Sequence, residues 1–175
     1  NSLTVTCGRT TAVADGGGGV FSRNGAVTLN HSTISGNSTS GSSAAGGGIN
    51  AITGAVTLNS STVSRNSAGD FGGGIALSFG PVTINNSTVS GNRSADGGGG
   101  IFSVYGAVMI NNSTVTGNSS TKDGGGLYVP NTNGNPLITI QNSIVAGNMA
   151  SGQGPDLRLD FGSPLDIDYS LIGDT

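Results

Sequence analysis

Side chains that can do acid–base or metal chemistry are few in this chain, and they sit at regular places. Asp15, Asp70 and Asp96 each lie five residues before an aliphatic landmark (Val20, Ile75, Ile101), and Lys122 takes the same place before Leu127. Two carboxylates one repeat apart can bind Ca²⁺ or form an acid/base pair, with Arg65 or Arg93 as basic neighbour. The same spacing suits Asp serving the turn before Gly, and the turn is the expected role. Asp166 and Asp168 share one strand face and read as solvated. His31 stands alone where the repeat has Asn or Ser, with no Ser or Cys constellation beside it. Cys7 replaces a turn Gly; as the single cysteine it allows no intrachain disulfide. We therefore expect no catalytic residue, no metal, no cofactor and no enzyme.

A binding face is the better candidate. If Ile101 and Leu127 point inward, Phe102 and Tyr128 point outward on neighbouring repeats. Phe79 and Tyr105 share another column, four residues beyond Ile75 and Ile101. Phe79, Phe102, Tyr105 and Tyr128 thus gather at one side, where they suit sugar stacking or a protein contact, or loop packing against the body. Thr33/Ser35, Thr62/Ser64, Thr88/Ser90 and Thr114/Thr116 form a two-column hydroxyl array. That array raises a minor alternative, an ice-binding surface, although the row fails at Ile144/Ala146 and Thr is an ordinary strand residue.

These columns exist only because the chain repeats. Asn86-Ser87-Thr88-Val89-Ser90-Gly91-Asn92 recurs around Ile34, Val63, Val115 and Val145, with worn copies at Val5 and Ile172. The steps between these centres are 29, 29, 26, 26, 30 and 27 residues. A Gly run leading to Val20, Ile49, Ile75, Ile101 or Leu127 keeps the same beat. So does a Val-x-Leu/Ile pair at Val27/Leu29, Val56/Leu58, Val82/Ile84, Val108/Ile110 and Ile138/Ile140. Each repeat therefore carries three short period-2 segments between Gly- and Asn-rich turns. Such a beat describes a solenoid whose equivalent residues stack about 4.8 Å apart. We expect an all-β, parallel β-helix of three short strands per coil. It should run for six to seven coils of 26–30 residues as a single domain over 1–175.

Two amide columns follow. Asn37, Asn66, Asn92, Asn118 and Asn148 occupy one turn position; Asn30, Asn59, Asn85, Asn111 and Gln141 occupy another. A stacked amide donates to one neighbour and accepts from the other, and Asn tolerates the left-handed conformation a turn needs. Several of these Asn residues begin Asn-x-Ser/Thr sequons, but a glycan there would displace the ladder bonds.

Composition excludes other classes. The nine acidic residues are all Asp, the six basic ones are scattered, and the net charge is −3, so no patch exists to neutralise phosphates. No apolar run nears the roughly 20 residues of a membrane span. With 33 Gly and one Lys, helix is disfavoured.

The Gly-Gly-Gly-Ile, Gly-x-Val-x-Ile and Asn-Ser-Thr-Val-Ser-Gly-Asn runs resemble the right-handed parallel β-helix repeats of bacterial polymorphic outer-membrane proteins and autotransporter passengers. Asn142 to Asn148, Pro155-Asp156-Leu157 and Tyr169-Ser170-Leu171-Ile172-Gly173 resemble the closing part of choice-of-anchor β-helix proteins. The resemblance implies right-handedness, export, and an extracellular or cell-surface location. It implies a structural role as stalk, adhesin or matrix/filament subunit. Because related β-helices include pectate lyases, it also raises an alternative, carbohydrate binding or polysaccharide cleavage. Asn1–Val5 already reads as a strand and Thr175 follows one without a cap. The expected partners are therefore other copies, end to end or side by side, or neighbouring repeats of a longer chain, besides cell-surface glycans.

Overall fold

The computed structural model describes residues 2–11, 16–41, 43–130, 136–160 and 162–175. Asn1 and Asp15 lie outside them. The chain winds as a parallel solenoid, and no described residue is helical. Its strands stack into four parallel sheets, one of seven strands and three of six.

The first face is built from Val20–Ser22, Ile49–Thr53, Ile75–Phe79, Ile101–Ser103, Leu127–Val129 and Leu157–Leu159. Val27–Asn30, Val56–Asn59, Val82–Asn85, Val108–Asn111, Ile138–Gln141 and Leu165–Asp168 make the second. The third runs from Thr4–Thr6 through Thr33–Ser35, Thr62–Ser64, Thr88–Ser90, Thr114–Thr116 and Ile144–Val145 to Leu171–Ile172. These are the three strands per coil that the repeat demands, and motif residues pair with their counterparts one coil on, Val89 with Val63 and Val115 for example. A fourth face of two-residue strands, such as Arg93–Ser94 and Ser119–Ser120, lies between the third face and the Gly run. Two residues are too short for an alternation to show, and their inward side chains are only Thr, Ala or Ser.

Alternation explains the core. Ile34, Val63, Val89, Val115 and Val145 are fully buried, as are Ile49, Ile75, Ile101 and Leu127. The second face contributes Val56/Leu58, Val82/Ile84, Val108/Ile110 and Ile138/Ile140, all at 0 % exposure. β-Branched side chains fill these columns because they pack well on a pleated surface. A rise of one strand spacing per coil makes the rod roughly 29 Å long.

Corners are made by left-handed residues stacked in columns. Between the second and third faces stand His31, Ser60, Asn86, Asn112, Asn142 and Tyr169, with φ from 46° to 49°. Between the third and fourth stand Cys7, Gly36, Arg65, Gly91, Gly117 and Gly147. The ladder residues Asn30, Asn37 and their equivalents are not among them. The left-handed turn falls on the residue beside each amide, so that the amide itself keeps its side chain in line. Some glycines serve close approach instead: a Cβ on Gly99 would lie 2.4 Å from the Ser119 carbonyl oxygen and 2.5 Å from that of Gly125.

Candidate functional site

The inner amide column lies inside the corner between the third and fourth faces. Asn37, Asn66, Asn92, Asn118 and Asn148 are at most 5 % exposed. In the first four, the backbone N–H and the Nδ2 group both donate to Oδ1 of the Asn one coil later, at 2.9–3.0 Å. Nδ2 also donates to a third-face carbonyl one coil back, as Asn92 does to Val63 at 3.0 Å. Asn148 has no following Asn. Its two donors converge at 2.7 Å on Oδ1 of Asp156, a carboxylate only 4 % exposed. Asp156 Oδ2 in turn accepts from the Asp174 N–H at 2.8 Å.

The outer column runs with opposite polarity: Asn59 Nδ2 donates back to Asn30, Asn85 to Asn59 and Asn111 to Asn85 at 2.9–3.0 Å. Gln141 and Asp168 occupy the next two rungs by strand register. Between the columns lies a serine ladder not anticipated from the sequence. Ser32, Ser61, Ser87, Ser113 and Ser143 are buried. Each backbone N–H donates to the next serine's Oγ at 2.9–3.0 Å, ending on Ser170. Every such Oγ donates to the carbonyl two residues back, as Ser87 does to Asn85 at 2.6 Å. The invariant Ser of each repeat carried that signal.

On the first face the outward column reads Phe21, Asn50, Ala76, Phe102, Tyr128, Arg158 in strand register. Phe102 and Tyr128 meet with ring centroids 5.6 Å apart, tilted by 57°. Phe71, off the repeat's beat, stacks on Phe102 at 4.3 Å, next in the column to the small, buried Ala76. Phe79 and Tyr105 stack nearly parallel at 4.8 Å, each about half exposed. Thus the four aromatic residues named from the sequence form two separate pairs, and Phe71 extends one of them.

Tyr128 is held from two sides. A Cβ on Gly97 would lie 2.5 Å from its Cδ1, so the ring lies against Gly97's backbone. Its hydroxyl donates to Asp160 Oδ2 at 3.1 Å, while Arg158 Nε donates to Asp160 Oδ1 at 2.7 Å. Partial burial, then the Asp160 charge, push the Tyr128 phenol up to about 12. Beside this row Lys122 Nζ pairs with Asp96 Oδ1 at 2.8 Å. Asp70 is pushed above the ordinary carboxylate value, chiefly by burial and then by Asp96, with Lys122 pulling it back. Asp70, Asp96 and Lys122 do share a column, then, and the cation paired with Asp96 is the lysine of the next rung. Among the described residues no group of three or more His, Cys, Asp or Glu is arranged to hold a metal ion. Asp166 and Asp168 are exposed. His31 and Cys7 are exposed corner residues. Among the described residues, no helix is long and apolar enough to cross a membrane.

Two stretches, residues 86–104 and 112–130, match the Chlamydia polymorphic membrane protein repeat. Each covers one third-face strand, the buried Asn (Asn92 or Asn118), the Gly run and the outward aromatic residue (Phe102 or Tyr128). No curated protein and no solved structure matches the chain. The repeat match and the parallel solenoid together fit a bacterial surface parallel β-helix repeat protein, and the match points to the outer membrane or cell surface.

Proposed function

We propose that this chain is a rigid shaft segment of an exported bacterial surface protein, serving as stalk, adhesin body or filament subunit through its length and stability. One observation carries the reading: the amide column is continuous from Gly8, whose N–H donates to Asn37, to Asp156. Every rung couples one coil to the next through buried hydrogen bonds, which resists separation of coils more than packing alone would. The acidic pair Asp70 and Asp96 supports a structural reading over polysaccharide cleavage, because Lys122 already engages Asp96. Contacts with other copies or with further coils of a longer chain complete the role.

Electron microscopy of the purified protein tests it, combined with reducing-end assays on polysaccharides. Straight rods or fibres without hydrolysis or lyase products are expected. Compact particles that cleave a polysaccharide would reverse the assignment.

A further inference from the structure

The shaft reading leaves the aromatic face unexplained. Five rings gather on three successive coils in two contact lines. Phe71, Phe102 and Tyr128 form the first, Phe79 and Tyr105 the second. Phe102 and Tyr105 stand three residues apart in one coil, at most about 10 Å along an extended chain. An extended molecule lying across the coils would therefore meet both lines.

The first line ends in fixed polar groups. Tyr128, Asp160 and Arg158 are joined by the two bonds described above. Among the described residues none accepts from the terminal nitrogens of Arg158, which therefore remain available as donors. A depression of about 360 Å³ opens beside them, lined by Gln153, Arg158, Leu159, Asp160, Gly162 and Ser163. Asp123 holds one of these lining residues, its Oδ1 accepting from the Gln153 N–H at 2.7 Å. Apolar ring surface flanked by carboxylate, amide and guanidinium groups matches a ligand with an apolar face and many hydroxyls.

Charge narrows the class further. Asp70, Asp96, Asp123 and Asp160 outweigh Lys122 and Arg158, so the rim is net negative and repels anionic chains. We infer that the Phe102–Tyr128 row with Asp160 and Arg158 is a docking site for a neutral, hydroxyl-rich glycan chain, which continues over Phe79 and Tyr105.

The test is a glycan array carrying neutral and uronate-containing oligosaccharides, probed with the purified chain, followed by calorimetric titration of the best neutral oligosaccharide. Neutral oligosaccharides should be retained and uronates not. Removing both half-exposed rings in Phe79→Ala/Tyr105→Ala should weaken affinity about 5- to 150-fold, from roughly 2- to 12-fold per ring. Tyr128→Phe keeps the ring but removes the hydroxyl that donates to Asp160, and should weaken it less. Phe102→Ala/Tyr128→Ala should abolish binding, with strand content checked by circular dichroism. The inference is overturned if no neutral oligosaccharide binds, if uronates bind better, or if Phe79→Ala/Tyr105→Ala binds unchanged. None of these outcomes touches the shaft reading, which rests on the continuous amide column and is tested by particle shape.

Discussion

Replacing Asn92 by Ala removes one rung from the middle of the inner ladder, and the structure allows the cost to be worked out. Four hydrogen bonds disappear: two that Asn92 Oδ1 accepts from Asn66 and two that its Nδ2 donates, to Asn118 and to Val63. The backbone bond from the Asn92 N–H survives, since Ala keeps that donor. The residue is fully buried, so water does not replace what is lost, and the Asn66 N–H is stranded. At about 1 kcal/mol for each of the other three net bonds, with about 1–3 kcal/mol for the stranded buried donor, the loss is about 4–6 kcal/mol. Urea unfolding followed by circular dichroism measures it, as a lower midpoint at unchanged slope. Asn85→Ala is the control. It also removes two side-chain amide bonds, but on the partly exposed outer column, where water substitutes, and should cost less than about 1 kcal/mol. Equal losses at the two sites, or a loss under about 1 kcal/mol at Asn92, would refute the claim that burial makes this ladder a major source of stability.

Three other outcomes follow from the same geometry. Asp156→Ala strands the Asn148 and Asp174 N–H groups and leaves Asn148 Nδ2 with only the Val115 carbonyl; it should free the chain beyond Asn148, read as early proteolysis and fast amide exchange there. Arg65 holds φ at 54° in a column otherwise made of Gly and Cys7, so Arg65→Gly should raise stability by about 0.5–1 kcal/mol in thermal or urea unfolding. The Tyr128 phenol titrates at about 12 in the fold and near 10 when unfolded. The fold thus favours the protonated form, a contribution complete below pH 10 and lost as pH rises towards 12. For a partly exposed ring this is about 1 kcal/mol after solvent screening, and Tyr128→Phe should abolish that pH dependence of the urea midpoint.

The large features were legible because they recur. Apolar residues at Ile34, Val63, Val89, Val115 and Val145, or at Ile49, Ile75 and Ile101, declare strands by their spacing, and a fixed beat declares stacking. What recurs without alternation was harder to see. Ser94 and Ser120 sit inward on two-residue strands, and Ser87 looks like any surface serine until its N–H and Oγ are both found spent inside the corner. The sequence suggests a left-handed turn on the ladder amides, but φ is positive on the neighbouring residue, just after the outer amides at Asn86 and Asn112 and just before the inner ones at Gly91 and Gly117. Phe71 escaped notice because it is off the beat. Only the small Ala76 in the aromatic column hints that a ring from elsewhere fills the gap.

Ladder chemistry also explains why Asp appears where Asn would stand. An internal rung must both donate forward and accept from behind, and Asn does both through one planar amide. A carboxylate only accepts, so an Asp placed mid-ladder would set oxygen against oxygen, facing Asn118 Oδ1 and the Val63 carbonyl at position 92, for instance. At the end of a column that objection vanishes. Asp156 collects both Asn148 donors on one oxygen, and its second oxygen takes the Asp174 N–H arriving from the following coil. The bond from the Asp156 N–H to the Asp174 carbonyl, at 2.9 Å, closes the clamp. Asn at every rung of the inner column and Asp at its cap are thus a consequence of hydrogen-bond direction. It gives that column a polarity that a side chain able only to accept can terminate but not transmit.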